Sequence, residues 1–153
     1  MIFSRRIVKP KRNDKAGLIF MEIKENRSFN QVEIVNLYKS VGWTNYLEFQ
    51  DMLEKAYENS LCVLGAYKDE KLVGIIRVVG DGVSIVFVQD IIVLPQYQRQ
   101  GIGTMILKAI MEKYQSVYQM ELLTDNTVKN VSFYKSMGFK PADEIGCLSF
   151  IRM

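Results

Sequence analysis

Histidine is absent from all 153 residues, and that one absence removes several mechanisms. Neither a Ser-His-Asp nor a Cys-His nucleophile pair can be assembled, and a His-based zinc site is excluded as well. Cysteine occurs only at Cys62 and Cys147, too far apart for metal-ligand spacing, so no metal is expected. In a reducing compartment both should be small, buried apolar residues. Any catalysis must use carboxylates, tyrosine, lysine, backbone groups or bound water. No apolar run approaches the roughly eighteen residues of a membrane span, and the amino terminus lacks the apolar stretch of a signal peptide. A cytoplasmic protein without a membrane partner is the expectation.

What is present has ordinary globular composition, 48% hydrophobic and 24% charged, about one domain in length and long enough to bury a core. The net charge of +3 is unevenly spread. Residues 1–20 hold Arg5, Arg6, Lys9, Lys11, Arg12 and Lys15 against Asp14 alone, whereas the remainder has 14 basic and 16 acidic residues. The first segment reads as a basic extension, either a flexible solvated tail or an arm for an acidic partner. The domain proper is expected over residues 21–153, which no repeat, low-complexity run or linker divides.

Asn30 with Glu33 is a capping-box variant, followed by Ile34, Tyr38 and Val41 on one helical face that should stop at Gly42. A second helix fits Phe49, Met52, Leu53, Ala56 and Tyr57. The period then becomes that of strands: LCVLGAY, a KDEK turn, LVGIIRVV, a GDG turn and SIVFVQDIIVL. Gln89 and Asp90 interrupt the last of these. Strand side chains alternate, so one should point to each face, and burying either without a partner costs about 1 to 3 kcal/mol. Asp90 could cap a loop or pair with Arg77; functionally, either residue could order a water that deprotonates an amine.

Asp90 to Tyr114 reads as strand, glycine turn and helix, with Ile102, Met105, Ile106, Ala109 and Ile110 on one helical face. The first turn of a helix has N–H groups without intrahelical partners and partial positive charge, so anions bind there. Gly101 and Gly103 let a phosphate approach the main chain, and Gln98, Arg99, Gln100 and Thr104 could add donors. A Walker loop is excluded because Gly103 is followed by Thr104 and Met105. The dinucleotide fingerprint needs Gly or Ala where Ile106 stands. After this helix, VYQMELLTD reads as a buried strand, and Asn126 or Thr127 can cap a helix running to Met137 before Gly138. Short strands near Phe139 and from Cys147 to Met153 would close the sheet.

The spelling QRQGIG, from Gln98 to Gly103 after DIIVLPQY, resembles the acetyl-CoA motif of the GCN5-related N-acetyltransferase (GNAT) family. NVSFYKSMGF, Asn130 to Phe139, resembles that family's second signature, and the likeness covers most of residues 21–153. The chain looks like a small, single-domain member of bacterial type. The VGW and GDG stretches also look like plastid arylalkylamine-type enzymes, which hints at a small amine acceptor.

The resemblance implies a mixed α/β fold: a twisted, mostly antiparallel sheet of about six to seven strands with a central splay, flanked by about four helices. It implies an acetyl-CoA-dependent N-acetyltransferase, with direct attack of a small primary amine in a ternary complex. The main chain of Ile91, Ile92 and Val93 would meet the pantetheine and acetyl carbonyl. Gln98, Arg99, Gln100, Gly101, Ile102, Gly103 and Thr104 would meet the pyrophosphate. Asn126, Asn130 and Phe133 would add cofactor contacts, and Tyr134 would act as general acid. The base stays open among Asp90, Gln89 and Glu121, through water. Trp43 and Tyr46, between the first two helices, would line an acceptor pocket or anchor the loop. Family members often form dimers, which leaves a homodimer open. No nucleic acid is expected. The rival readings are a non-catalytic CoA-binding or regulatory module, and acetylation of a partner recruited by the basic arm.

Overall fold

The computed structural model describes residues 6–7, 21–25 and 30–152. Its centre is the strand pair β4 (Lys71–Gly80) and β5 (Ile85–Val93). β4 is buried without interruption from Leu72 to Val78, as a strand covered on both faces should be. Around it the sheet follows sequence order: β1 (Arg6–Ile7), β2 (Met21–Glu25), β3 (Cys62–Lys68), β4, β5 and β6 (Gln119–Leu122). The first five pair antiparallel, and β6 returns parallel to β5 through helix α3 (Ile102–Lys113), the kind of crossover that parallel neighbours require. Among the described residues the sheet has six strands, one of only two residues, against the six to seven expected. Most of the basic extension lies outside the described residues, but Arg6 and Ile7 pair with Ile23 and Glu22.

Helix α1 (Gln31–Ser40) starts as its sequence demands. The Asn30 side-chain oxygen accepts from the Glu33 N–H at 3.3 Å, a cap worth about 1 kcal/mol. It stops just before Gly42, whose φ is +79°. A 3₁₀ turn, Asn45–Phe49, leads into α2 (Gln50–Glu58). Leu53 is fully buried, which contributes about 1.5 to 3 kcal/mol, and Tyr57 is buried with it. The expected face of this helix is narrower than its spelling suggests. Phe49 and Met52 are exposed: regular helix begins only after Phe49, and Met52, about 100° round the helix from Leu53, falls off the face that Leu53 and Tyr57 bury.

The two faces of β4 carry different helices. A Cβ at Gly74 would lie 3.4 Å from the Ile102 methyl of α3, while the Arg77 guanidinium lies over the Tyr57 ring of α2 at 5.5 Å. Positions 74 and 77 are on opposite sides of the pleat. The β3–β4 turn places Asp69 and Glu70 at φ +48° and +66°, the double positive φ of a type I′ hairpin. Between β4 and β5 the Asp81 carboxylate accepts from the N–H groups of Val83, Ser84 and Ile85 at 2.8, 2.8 and 3.1 Å.

Residues 123–153 form a second compact unit. Thr127 caps α4 (Val128–Ser136) by accepting from the Asn130 N–H, and Gly138 follows it at φ +91°. The closing strands expected near Phe139 and over 147–153 are not formed among the described residues. A 3₁₀ turn, Ala142–Ile145, follows Pro141, and Cys147 to Arg152 has no ladder partner. Leu148 and Phe150 are exposed: the alternation suits a strand, but alternation without a paired edge does not make one. Cys62 is buried as expected and Cys147 is exposed. Burial pushes the Cys62 thiol up to about 11.

Candidate active site

Arg77 pairs with Asp90 and Val78 with Val88, so Gln89 is an extra residue in β5. Such a β-bulge re-aims whatever follows it. Side chains paired across two strands share a face, which puts Val88 with Val78 on the α3 side and Asp90 with Arg77 on the α1–α2 side. Pairing with β6 also stops here, at Val88–Leu122. Beyond it, the outer edge of β5 has no strand beside it among the described residues. Leu94 N–H donates to Val73 O at 2.9 Å, and alternation from that bond turns the N–H groups of Ile91 and Val93 away from β4. Ile92 is on the other phase: its N–H faces β4 and its side chain is buried, so it is a core residue.

The free edge runs into the glycine turn. Arg99 has φ +59° and Gly101 φ +83°. A Cβ on Gly101 would meet nothing within 4 Å, so its φ, not crowding, calls for glycine, and the space before it is open to a ligand. The first intrahelical bond of α3 runs from Met105 N–H to Gly101 O at 2.9 Å. Ile102, Gly103 and Thr104 therefore present N–H groups at the positive end of the helix. Gln98 Nε2 donates to Val93 O at 3.0 Å and Gln100 Nε2 to Gln96 O at 3.1 Å. These two side chains brace the turn, and Arg99 is exposed. Ile102's own side chain is buried. The surface so built suits a phosphate or pyrophosphate.

On the other face of β5 lies a buried polar cluster. Arg77 is 5% and Asp90 2% exposed. Arg77 Nε donates to Asp90 Oδ2 at 2.5 Å, and the Tyr38 hydroxyl donates to the same oxygen at 2.8 Å. Arg77 Nη1 reaches Ser60 Oγ at 3.3 Å and Ala56 O at 3.5 Å. The Tyr57 hydroxyl lies 3.3 Å from that of Tyr38. Asp90 Oδ1 is buried with no partner. Burial, with the Asp90 charge nearby, drives both phenol pKa values up. Burial works against the Arg77 charge, but Asp90 overrides it and the guanidinium pKa rises. The ion pair expected between Asp90 and Arg77 is present. Tyr38 and Tyr57 were legible only as apolar-face residues. Two tyrosines on the buried faces of successive helices, opposite a charged strand pair, are the signal that could have revealed the cluster.

Tyr38 also supports the α1–α2 junction. Its ring centroid is 6.0 Å from Trp43 and 5.5 Å from Tyr46, both edge-on, and those two are 6.5 Å apart. Trp43 and Tyr46 are half-buried, so each packs on the core while keeping part of its ring accessible.

Within the second unit, Tyr134 is half-buried, with edge-on rings at 5.0 Å (Phe133) and 6.0 Å (Phe139). Burial raises its phenol pKa, and a hydrogen bond with Thr124 opposes that rise. Asn130 Nδ2 donates to Thr124 Oγ1 at 3.0 Å and reaches Asp125 O at 3.4 Å, so this side chain holds the unit's own loop. Asn126 is exposed.

Known proteins are similar to this chain in sequence and in fold. A model of the acetyltransferase (GNAT) domain matches residues 59–141. A GNAT-family acetyltransferase of Streptococcus pneumoniae is 44% identical and superimposes with a TM-score of 0.79, covering 87% of this chain and 97% of its own. A ycf52-like N-acetyltransferase of Prochlorococcus marinus is 28% identical over 133 residues, 83% of this chain and 70% of its own length. The PaiA N-acetyltransferase of Thermoplasma acidophilum, solved with coenzyme A, shares the fold with a TM-score of 0.63 at 21% identity, over 78% of this chain and 89% of its own. The domain match runs from the end of α2 through the bulge, the glycine turn and α4, more than half of the sequence, and the chain therefore belongs to the GNAT family of acetyltransferases.

Proposed function

We propose that the chain moves the acetyl group of acetyl-CoA to a small primary amine by direct attack within a ternary complex. The observation that carries this reading is the outer edge of β5, whose Ile91 and Val93 N–H groups lead into the Gly101 turn and the amino end of α3. Acetyl-CoA supplies an acyl group already activated as a thioester. The Ile91 and Val93 N–H groups hold the pantetheine arm and polarise the acetyl carbonyl, and the α3 amides hold the pyrophosphate. Trp43 and Tyr46 line the acceptor side. A water between Asp90 Oδ1 and Gln89 relays the amine proton to the Asp90 carboxylate as the C–N bond forms. Tyr134 gives its proton to the sulfur as the C–S bond breaks; its raised pKa keeps that proton in place at neutral pH.

The test is calorimetric titration with acetyl-CoA and, separately, with NAD and ATP. Selective acetyl-CoA binding that Gly101→Asp abolishes is expected, followed by turnover in a screen of primary amines. Tyr134→Phe should lower kcat by about 100-fold or more with acetyl-CoA affinity unchanged. An unaltered kcat would remove the tyrosine from the mechanism, and no acetyl-CoA binding would discard the whole reading.

A further inference from the structure

The Asp90 carboxylate is unusual in how its two oxygens are used. Oδ2 receives both charge-assisted donors, Arg77 Nε and the Tyr38 hydroxyl, while Oδ1, equally buried, receives none. Buried carboxylate oxygens seldom go unpaired. Two donors on one oxygen fix the rotation of the group and leave the other oxygen as the open acceptor of the cluster. Tyr38 touches both this carboxylate and the aromatic junction. Its hydroxyl is on Asp90, and its ring is the surface on which Trp43 and Tyr46 rest.

We infer that Tyr38 is the positioning residue of the acceptor half-site: it orients Asp90 so that Oδ1 stays open, and it seats Trp43 and Tyr46 against the incoming amine. The ligand class is a small primary ammonium ion on an apolar arm. Half-buried indole and phenol rings attract such a cation by their faces, and an open carboxylate oxygen accepts its proton through water. The inference rests on the acetyltransferase reading above. What it adds is that acceptor recognition runs through a residue of α1 that is fully buried.

Trp43 is the only tryptophan in the chain, so its emission reports on this junction without any need for turnover. The experiment titrates the CoA-bound protein with 2-phenylethylamine and with 1,3-diaminopropane, following Trp43 fluorescence, in wild type, Tyr38→Phe and Tyr57→Phe. Tyr38→Phe keeps the ring and removes the hydroxyl. Tyr57→Phe removes a neighbouring buried hydroxyl, the one 3.3 Å from that of Tyr38, and so controls for loss of packing polarity.

At least one amine should perturb wild-type emission. Tyr38→Phe should weaken that amine about tenfold, within the range of substitutions that act on a site without touching its ligand, and lower its kcat/KM similarly. Tyr57→Phe should stay within twofold, and calorimetric acetyl-CoA affinity should be the same in all three proteins. Equal losses in both variants, or amine affinity unchanged in Tyr38→Phe, would overturn the inference. So would an emission that no amine perturbs. Calorimetry separates that outcome from failure of the broader reading: the inference alone falls if acetyl-CoA still binds, and both fall if it does not.

Discussion

Asp90→Asn should be among the most destabilising isosteric substitutions in this protein. The replacement keeps the shape and one acceptor oxygen, turns the other oxygen into an NH2 donor, and leaves the Arg77 guanidinium, 5% exposed, without its counter-charge. Ser60 Oγ at 3.3 Å and Ala56 O at 3.5 Å are neutral acceptors and do not replace it. Two unit charges about 4 Å apart in an effective dielectric of about 20 interact by about 4 kcal/mol. Breaking a buried pair by removing one partner costs about 3 to 5 kcal/mol. For a chain of this length each kcal/mol lowers Tm by about 2 to 4 °C, so a fall of about 6 to 20 °C is expected. Arg77→Met should cost a similar amount, because it strands the carboxylate with Tyr38 alone. The double variant removes both charges and should cost clearly less than the two together. Urea unfolding of the four proteins gives the coupling energy directly, expected at about 2 kcal/mol or more in a contacting pair. A single-variant loss below about 1 kcal/mol, or coupling within the roughly 0.5 kcal/mol of additive sites, would refute the claim that the charges depend on each other.

Three further outcomes follow from local geometry. Gly80→Ala puts a Cβ 2.3 Å from the Ile85 carbonyl oxygen at φ +131°, so the turn must move, at a cost on the order of 3 kcal/mol by urea unfolding; a loss under about 1 kcal/mol would mean the turn is loose. Gly101→Ala meets no atom within 4 Å and pays only for its left-handed backbone, about 1 to 2 kcal/mol. Its acetyl-CoA affinity should fall more than its stability, and the reverse order would count against the turn as a cradle. Tyr38 and Tyr57 both have phenol pKa values raised by burial, so the unfolded chain loses these protons first. Stability should hold up to the ordinary tyrosine value of about 10 and then fall as pH rises further. Tyr57→Phe should make that alkaline decline shallower, and an unchanged slope would show that the phenol does not contribute to it.

Much of this fold could be read from the spelling because local rules and tertiary packing agree. Asn30 and Thr127 cap the helices they precede, Gly42 and Gly138 end helices at positive φ, and the KDEK and GDG turns join adjacent antiparallel strands. The glycine turn was legible for the same reason, since its chemistry lies in contiguous residues. Legibility failed where an outcome depends on a distant partner. Cys147 to Arg152 has the alternation of a strand and no ladder. Phe49 fits a helical face but stands in the 3₁₀ turn before the helix, and is exposed. Tyr38, Tyr57 and Asp90 lie 19 and 52 residues from their hydrogen-bonding partners, and no window of sequence joins them.

The bulge shows how one residue can serve stability and function together. With Gln89 as an extra residue, β5 changes the face its side chains take just where its pairing with β6 ends. Without it, Asp90 would follow the phase of Val86 and Val88, its carboxylate would face α3, and Arg77 would lose its partner. The bulge therefore does two things: it delivers Asp90 to the α1–α2 side, where Arg77 and Tyr38 hold it, and it marks the start of the free edge on which Ile91 and Val93 present their N–H groups. The adjacent polar pair in an apolar strand was conspicuous in the sequence because it sits at that change of phase. Physical cost and chemical use have the same origin here. A carboxylate buried at 2% exposure is tolerated because Arg77 compensates its charge, and the oxygen that neither Arg77 nor Tyr38 engages is the one the proposed mechanism uses.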